Sequence, residues 1–459
     1  MKRKQKLQVE IEKLAYGGKG IARVNGRVVF VDGALPGDRA VVQIRRLKSQ
    51  FAEAKLVELV EPSPLRREAP CRYFGYCGGC KWQNLDYQQQ LEFKRQQVVE
   101  SLEHIGGISP ELVHATLPSP LQFGYRNKME FSFTDRRWLT PEELQNSNIR
   151  KDFGLGFHVP GSFEWVMHID ECLLQDEVMN GILKFTGDYF RQADIPVFNL
   201  KTHQGVLRFL VLRKSFAYQQ YMVNLVTFEP VADQVKKWVQ ELTRRFSGIV
   251  SILNSVNRRF AQIAVGEQEH LLFGQPILKE KLGGFEFEIS ANSFFQTNPL
   301  QAEQLYRTVE KFVGEGHELV WDLYSGTGTI TMFLARSARQ VIGFEVVESA
   351  VQDAIRNCEQ NGVTNCTFVA GNVEKNLRQY PGSPDVVVTD PPRSGMHPET
   401  VRAILNAKPH KIVYVSCNPA TMARDVAMLK QEYRVSEVQP VDMFPHTYHI
   451  ESVVKLERR

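Results

Sequence analysis

The sequence is poor in what would make a membrane, secreted or fibrous protein. Across 459 residues no apolar run approaches the roughly 20 needed to span a bilayer, and the mean hydropathy is −0.29. The start, MKRKQKLQVEIEKL, is basic like a signal peptide, yet no apolar stretch or small-residue cleavage site follows it. The expectation is a cytoplasmic protein with no membrane contact and no obligate protein partner. Cysteine is scarce: seven residues, an odd number unevenly spread, are no disulfide framework and are read as ligands, nucleophiles or buried thiols. Repeats and low-complexity tracts are lacking. With 43% hydrophobic and 24% charged residues the chain is neither disordered nor fibrous.

Net charge is also small, +4, but it is uneven. Residues 1–70 carry 15 Lys and Arg against 8 Asp and Glu, and the remainder nets −3. A basic head on a near-neutral body points either to a polyanion grip or to a solvated charged surface. Within that head, LQVEIEKL, GIARV, RVVFV, RAVVQIRRL and AEAKLVELV alternate with the two-residue period of strands and are punctuated by glycines. Five short strands predict a small closed β-barrel of the oligonucleotide-binding kind. The segment resembles a TRAM domain, an RNA-binding module. Pro62, Pro64 and Pro70 then mark a linker.

The middle of the chain mixes a long Gln-rich helix candidate, residues 87–104, with strands such as YRNKMEFSFT and GVLRFLVLRK. Thr140-Pro141-Glu142-Glu143 predicts a helix start, with a capping Thr and a Glu three residues on. From about residue 318 apolar strands (LVWDLY, QVIGFEV, CTFVAG, DVVVTD, KIVYVS) alternate with helical stretches, the pattern of a doubly wound parallel sheet. The final strands, YRVSEVQPVDMF and ESVVKLER, have no helix between them and should pair antiparallel.

Asp322-Leu323-Tyr324-Ser325-Gly326-Thr327-Gly328 sits where the first of these strands turns into a helix, the place where such folds bind ligands. Glu345 ends the second strand, positioned for ribose hydroxyls. The dinucleotide fingerprint G-x-G-x-x-G is broken by Thr331, which tilts the reading from a nicotinamide cofactor toward S-adenosylmethionine. Further on stand Asp390-Pro391-Pro392-Arg393-Ser394-Gly395, Ser416-Cys417-Asn418-Pro419-Ala420-Thr421 and Asp442-Met443-Phe444-Pro445-His446-Thr447-Tyr448-His449-Ile450-Glu451. Together with Ser293-Phe294-Phe295-Gln296-Thr297-Asn298, these resemble the RNA uracil-C5 methyltransferases, which make 5-methyluridine.

The chemistry explains the residue types. C5 of uracil is a poor nucleophile, so a thiolate first adds to C6, C5 then takes the methyl group, and a base removes the C5 proton to let the thiol leave. Cys417, just before a helix starting at Asn418, is the candidate nucleophile, and a helix N-terminus there is expected to lower its thiol pKa. The resemblance implies Glu451 as proton acceptor, and Gln296, Tyr324, Gly326, Glu345, Asn372 and Asp390 around S-adenosylmethionine. Asn372 reads equally as a turn residue. Phe294 is a candidate to stack on the target base or to pack in the core.

Cys71-x5-Cys77-Gly78-Gly79-Cys80 brings three thiols within ten residues, and Cys172 is the distant thiol best placed to complete four. Four thiolates suit zinc or an iron–sulfur cluster. The resemblance implies a [4Fe-4S] cluster, shaping an RNA-binding surface around Arg126, Asn127 and Lys128, which otherwise read as plain loop charges. The expected organisation is a TRAM-like barrel (1–62), a mixed α+β middle domain (63–270) and an α/β methyltransferase domain (271–459). RNA is the expected partner. Members with a TRAM head and a cluster imply 23S ribosomal RNA as substrate; the tRNA T-loop, or a non-catalytic RNA-binding or assembly role, is the alternative. A DNA cytosine-C5 enzyme shares the thiolate logic but carries its nucleophile after Pro, whereas Cys417 follows Ser.

Overall fold

The computed structural model describes residues 1–380 and 382–459. By contact density they form two units interleaved along the chain. The first comprises Met1–Ala69, Lys81–Pro120 and Gln301–Arg459, the second Pro70–Cys80 and Leu121–Leu300. This division cuts across the serial boundaries 1–62, 63–270 and 271–459, because the head and the C-terminal sheet fall in one unit.

In the first unit the head is a six-stranded sheet, ordered Lys6–Glu10, Arg39–Leu47, Phe51–Glu61, Arg27–Asp32, Gly20–Val24, Lys13–Leu14. The predicted first strand is split by a bend at Ile11 and Glu12. Its halves occupy opposite edges of the sheet, so two residues of chain draw those edges together and curl the sheet into a barrel. Alternation puts Val9, Ala22, Val29, Val31, Val42, Ile44 and Ala54 into one apolar core. The proline-rich linker is pinned to it by buried Asp38, whose Oδ1 accepts from Ser63 N at 2.9 Å and Arg66 Nε at 2.7 Å.

The same unit holds a seven-stranded sheet, ordered Cys366–Ala370, Ala338–Glu345, His317–Leu323, Val386–Thr389, Lys411–Ser416, Glu451–Arg458, Tyr433–Val441. The first five and Tyr433–Val441 run the same way, and Glu451–Arg458, inserted between them, is antiparallel to both its neighbours, as the missing helix before it predicts. Apolar strands buried on both faces pack against the helices Tyr87–Ser101, Pro398–Ala407 and Pro419–Leu429.

The second unit is built on an eight-stranded mixed sheet whose central strands are Lys128–Thr134, Leu207–Ser215 and Gln220–Thr227. The helix Glu177–Gln192, capped by Asp176 on Met179 N, buries Met179, Ile182, Leu183, Thr186 and Phe190, one face at helical spacing. The helix expected from Thr140 is a single 3-10 turn, Glu143–Gln145. Both bonds of its capping box form, Glu143 N to Thr140 Oγ1 at 3.2 Å and Thr140 N to Glu143 Oε2 at 3.0 Å. Asn146 then turns its side chain onto Asn148 N and ends the coil, a competition that Asn wins readily. Among the described residues no helix is long and apolar enough to cross a membrane.

Candidate active site

The glycine loop after His317–Leu323 is wound by three left-handed residues: Tyr324 at φ 63°, Gly326 at 54° and Gly328 at 77°. A Cβ on Gly328 would stand 2.9 Å from Ala354 and Phe368, so only glycine lets the loop close on its neighbours. A Cβ on Gly326 would meet nothing within 4 Å, which leaves open space beside that backbone. Asp322 is fully buried and accepts from Thr331 Oγ1 at 2.6 Å. Thr331, the residue that breaks the dinucleotide fingerprint, thus has a job of its own here. Burial pushes the Asp322 carboxyl up to about 7, with Asp390 and Glu345 adding to it. Among the described residues Asp322 Oδ1 and Ser325 Oγ are buried without a hydrogen-bond partner. Open space beside Gly326 and buried polar atoms awaiting partners fit a polar ligand such as S-adenosylmethionine.

Other expected cofactor residues are partly committed to the fold. Glu345 takes Gly326 N on Oε2 at 3.0 Å and Val347 N on Oε1 at 2.9 Å, so it shapes the loop, and only remaining lone pairs serve a hydroxyl. Asn372 caps the helix Val373–Gln379 by accepting from Lys375 N at 2.9 Å. Tyr324 Oη bonds Thr400 Oγ1 at 3.2 Å. Burial pushes Asp390 up to about 7.

Cys417 follows the strand Lys411–Ser416, and Asn418 caps the helix Pro419–Leu429 through Ala420 N at 3.1 Å. Asn418 Nδ2 and Thr421 Oγ1 both donate to the Arg393 carbonyl, at 3.1 and 3.2 Å, which ties the Asp390–Gly395 loop to the cysteine loop. The Cys417 thiol is not lowered as the helix start led us to expect. Burial and then Glu451 push it up to about 11, while the hydrogen-bonded Arg393 guanidinium pulls it back. Burial and Asp390 likewise raise the Glu451 carboxyl well above the usual range, with Arg393 opposing. The resting site therefore holds a thiol, and a carboxyl that keeps its proton more tightly than usual, beside one arginine. Sequence reasoning passed over Arg393 as a functional residue, although it lies inside a quoted motif.

Residues 442–450 are held by the helix Tyr87–Ser101. Lys94 Nζ meets Asp442 Oδ1 at 2.5 Å with both side chains fully buried, and Tyr87 Oη donates to Asp442 Oδ2 at 2.9 Å. Gln90 Oε1 accepts from His446 N at 2.9 Å, and the His446 carbonyl accepts from Lys81 N and Trp82 N at 2.8 and 3.0 Å. Glu451 is thus delivered by a braced loop.

The remaining candidates belong to the second unit. Phe294 is 73% exposed while Phe295 is buried against Phe287 at 5.7 Å, so core packing falls to Phe295. Gln296 offers its carbonyl to Asn127 Nδ2 at 3.1 Å. Asn127 is buried and also donates its own N–H to the Thr297 carbonyl at 2.9 Å; it braces this loop rather than standing as an open RNA contact. Lys128 pairs with Glu130 at 2.6 Å, and Arg126 N donates to the Leu174 carbonyl at 2.8 Å.

The metal expectation finds no support. Cys77 and Cys80 act on Cys172, which burial first pushes up to about 12, and burial raises Cys71 as well. Among the described residues no group of three or more His, Cys, Asp or Glu is arranged to hold a metal ion. A [4Fe-4S] cluster or zinc on Cys71, Cys77, Cys80 and Cys172 is therefore without support from the arrangement of the described residues.

A family model described as tRNA (Uracil-5-)-methyltransferase matches residues 208–459, and a TRAM domain model matches residues 2–57. The chain belongs to the uracil-5-methyltransferase family. It is a TRAM-domain, S-adenosylmethionine-dependent RNA methyltransferase. An RNA methyltransferase of Bacteroides thetaiotaomicron is 42% identical over 97% of this chain and 100% of its own length. One of Porphyromonas gingivalis is 43% identical over 98% and 99%. The crystal structure of Pyrococcus abyssi tRNA (uracil-54, C5)-methyltransferase with S-adenosyl-L-homocysteine superposes with a TM-score of 0.78, at 34% identity, over 98% of this chain and 100% of that one.

Proposed function

We propose that this methyltransferase modifies C5 of a uridine in 23S ribosomal RNA through a covalent bond between Cys417 and C6. The chemistry is carried by the pairing of Cys417 with Glu451 around Arg393, and the choice of 23S RNA rests on the TRAM head and the family resemblance alone. Arg393 stabilises the Cys417 thiolate. That thiolate forms the C6–S bond, and the displaced π electrons make C5 and O4 enolate-like. S-adenosylmethionine supplies the methyl group to C5. Glu451, ionised, then takes the C5 proton, the C5–C6 double bond re-forms, and the C6–S bond breaks. A carboxylate whose proton affinity has been raised by burial is the stronger base for that step. Tyr324, Gly326 and Asp390 line the proposed cofactor cradle, with Glu345 and Asn372 framing it. The assignments of Gln296 and Phe294 rest on the family resemblance.

The tRNA T-loop is the second reading, favoured by the end-to-end likeness to a tRNA (uracil-54, C5) enzyme. Mapping 5-methyluridine in ribosomal and transfer RNA from cells lacking the protein separates the two. Loss from 23S RNA supports the proposal, loss from tRNA alone supports the second reading, and loss from neither removes both.

A further inference from the structure

Tyr16 lies 401 positions from Cys417 in sequence, yet its hydroxyl stands 3.5 Å from the Cys417 carbonyl. It sits on the turn between the strands Lys13–Leu14 and Gly20–Val24 of the barrel. This turn is seated, not dangling. Gly17 and Gly18 take left-handed conformations at φ 99° and 80°. A Cβ on Gly18 would already crowd Trp82 Nε1 at 3.3 Å and Tyr448 Cβ at 3.4 Å. The Tyr16 ring meets Tyr448 edge-on at 5.9 Å, and Tyr448 packs on His449 at 4.2 Å, within the loop that delivers Glu451.

A tyrosine placed there for packing would be buried, but Tyr16 remains 45% exposed. One held for its hydroxyl would make a short bond, and 3.5 Å is the outer limit of one. What the position offers is an exposed, fixed aromatic face at the nucleophile. Cys417, Glu451 and Arg393 all act electrostatically on its hydroxyl, which confirms how near the ring stands to the reacting groups. A uridine offered to a half-buried thiol must leave its stack, and exposed aromatics take up the bases so released.

We propose that Tyr16 is a substrate-binding residue of the catalytic centre, its ring stacking on a nucleobase of the RNA strand that carries the target uridine. The barrel then completes the substrate site instead of serving only as a remote grip on phosphate. This rests on the uridine-C5 reading above.

The test compares full-length wild type, Tyr16→Ala, Tyr16→Phe and Tyr16→Trp on the RNA that wild type methylates. Tyr16→Ala should raise KM for RNA by roughly 5- to 150-fold, the range for one lost base stack, without altering the dissociation constant of S-adenosylmethionine. Tyr16→Phe, which keeps the ring, should rescue most of that affinity. Tyr16→Trp should bind RNA with quenching of indole emission beyond that of wild type, a readout that holds even if Tyr16→Ala fails to fold. Unchanged KM in Tyr16→Ala, Tyr16→Phe as impaired as Tyr16→Ala, or no added quenching in Tyr16→Trp would overturn the proposal. Wild type incubated with RNA carrying 5-fluorouridine distinguishes the two levels. No covalent adduct there removes the uridine-C5 reading itself; an adduct together with an indifferent Tyr16→Ala removes only the role of Tyr16.

Discussion

Ser416 and Ser452 face each other across the antiparallel pair of strands Lys411–Ser416 and Glu451–Arg458. One residue beyond that pair stand Cys417 on one strand and Glu451 on the other. The proposed nucleophile and base, from distant motifs, therefore become side-by-side neighbours through strand register alone. Shifting either strand by one residue would turn one of them away.

The pH dependence follows from both groups holding their protons more tightly than usual. Burial and Glu451 push Cys417 up to about 11, and burial raises Glu451. Each must lose its proton to act, so kcat/KM should rise with pH on the alkaline side of neutrality. Arg393→Leu removes the cation that favours the thiolate. Its limb should move to still higher pH, and the rate at pH 7 should fall on the order of tenfold. A pH profile unchanged in Arg393→Leu would refute the arginine's role.

Asp322 and Asp390 give the folded protein a different pH signature. Both are raised to about 7, against about 4 in the unfolded chain, so the folded state holds their protons more tightly. Stability is therefore greatest below the unfolded value and is lost as pH rises through about 7. The loss is about 1.4 kcal/mol per pH unit for each group across that window. Urea melts of the ligand-free protein should show this slope, and Asp322→Asn should flatten it. Equal slopes in the two proteins would contradict the assignment.

Lys94 and Asp442 form a fully buried ion pair beneath the Glu451 loop. Lys94→Met leaves a buried carboxylate unpaired and should cost about 3–5 kcal/mol in urea unfolding. Adding Asp442→Leu should recover part of that loss. A single variant within 1 kcal/mol of wild type, by the order-of-magnitude scale for such pairs, would show that the pair is not a brace.

On the barrel, Arg45, Arg46 and Lys48 are exposed at the end of the strand Arg39–Leu47 and beyond it. Replacing all three by Ser should lower the slope of log affinity for RNA against log salt by about 2, since each phosphate contact on a single strand releases about 0.7 counterion. An unchanged slope would place the RNA elsewhere.

Much of this was legible in the sequence for physical reasons. The central parallel strands announce themselves as apolar runs because both faces are covered, and the barrel strands alternate because one face is wet. Cys417 and Glu451 stand in motifs whose order along the chain survives folding. What escaped depends on distance and environment. The direction of the Cys417 pKa is set by burial and by Glu451 more than by the helix start. Tyr16 reaches the site from the other end of the chain with no motif around it. Thr140 begins a capping box that Asn146 cuts to one turn. Cys71, Cys77, Cys80 and Cys172 have the spacing of ligands, yet among the described residues no metal-holding group is found.

The central claim is a covalent Cys417 intermediate resolved by Glu451. Its most direct measurement is denaturing electrophoresis of Glu451→Gln incubated with substrate RNA and S-adenosylmethionine labelled in the methyl group. The account predicts a denaturant-resistant protein–RNA band carrying the label, because thiol addition and methyl transfer proceed while the C5 proton cannot leave; the same band must vanish in Cys417→Ala/Glu451→Gln. Wild-type turnover by Glu451→Gln, or an adduct that survives loss of Cys417, would contradict it.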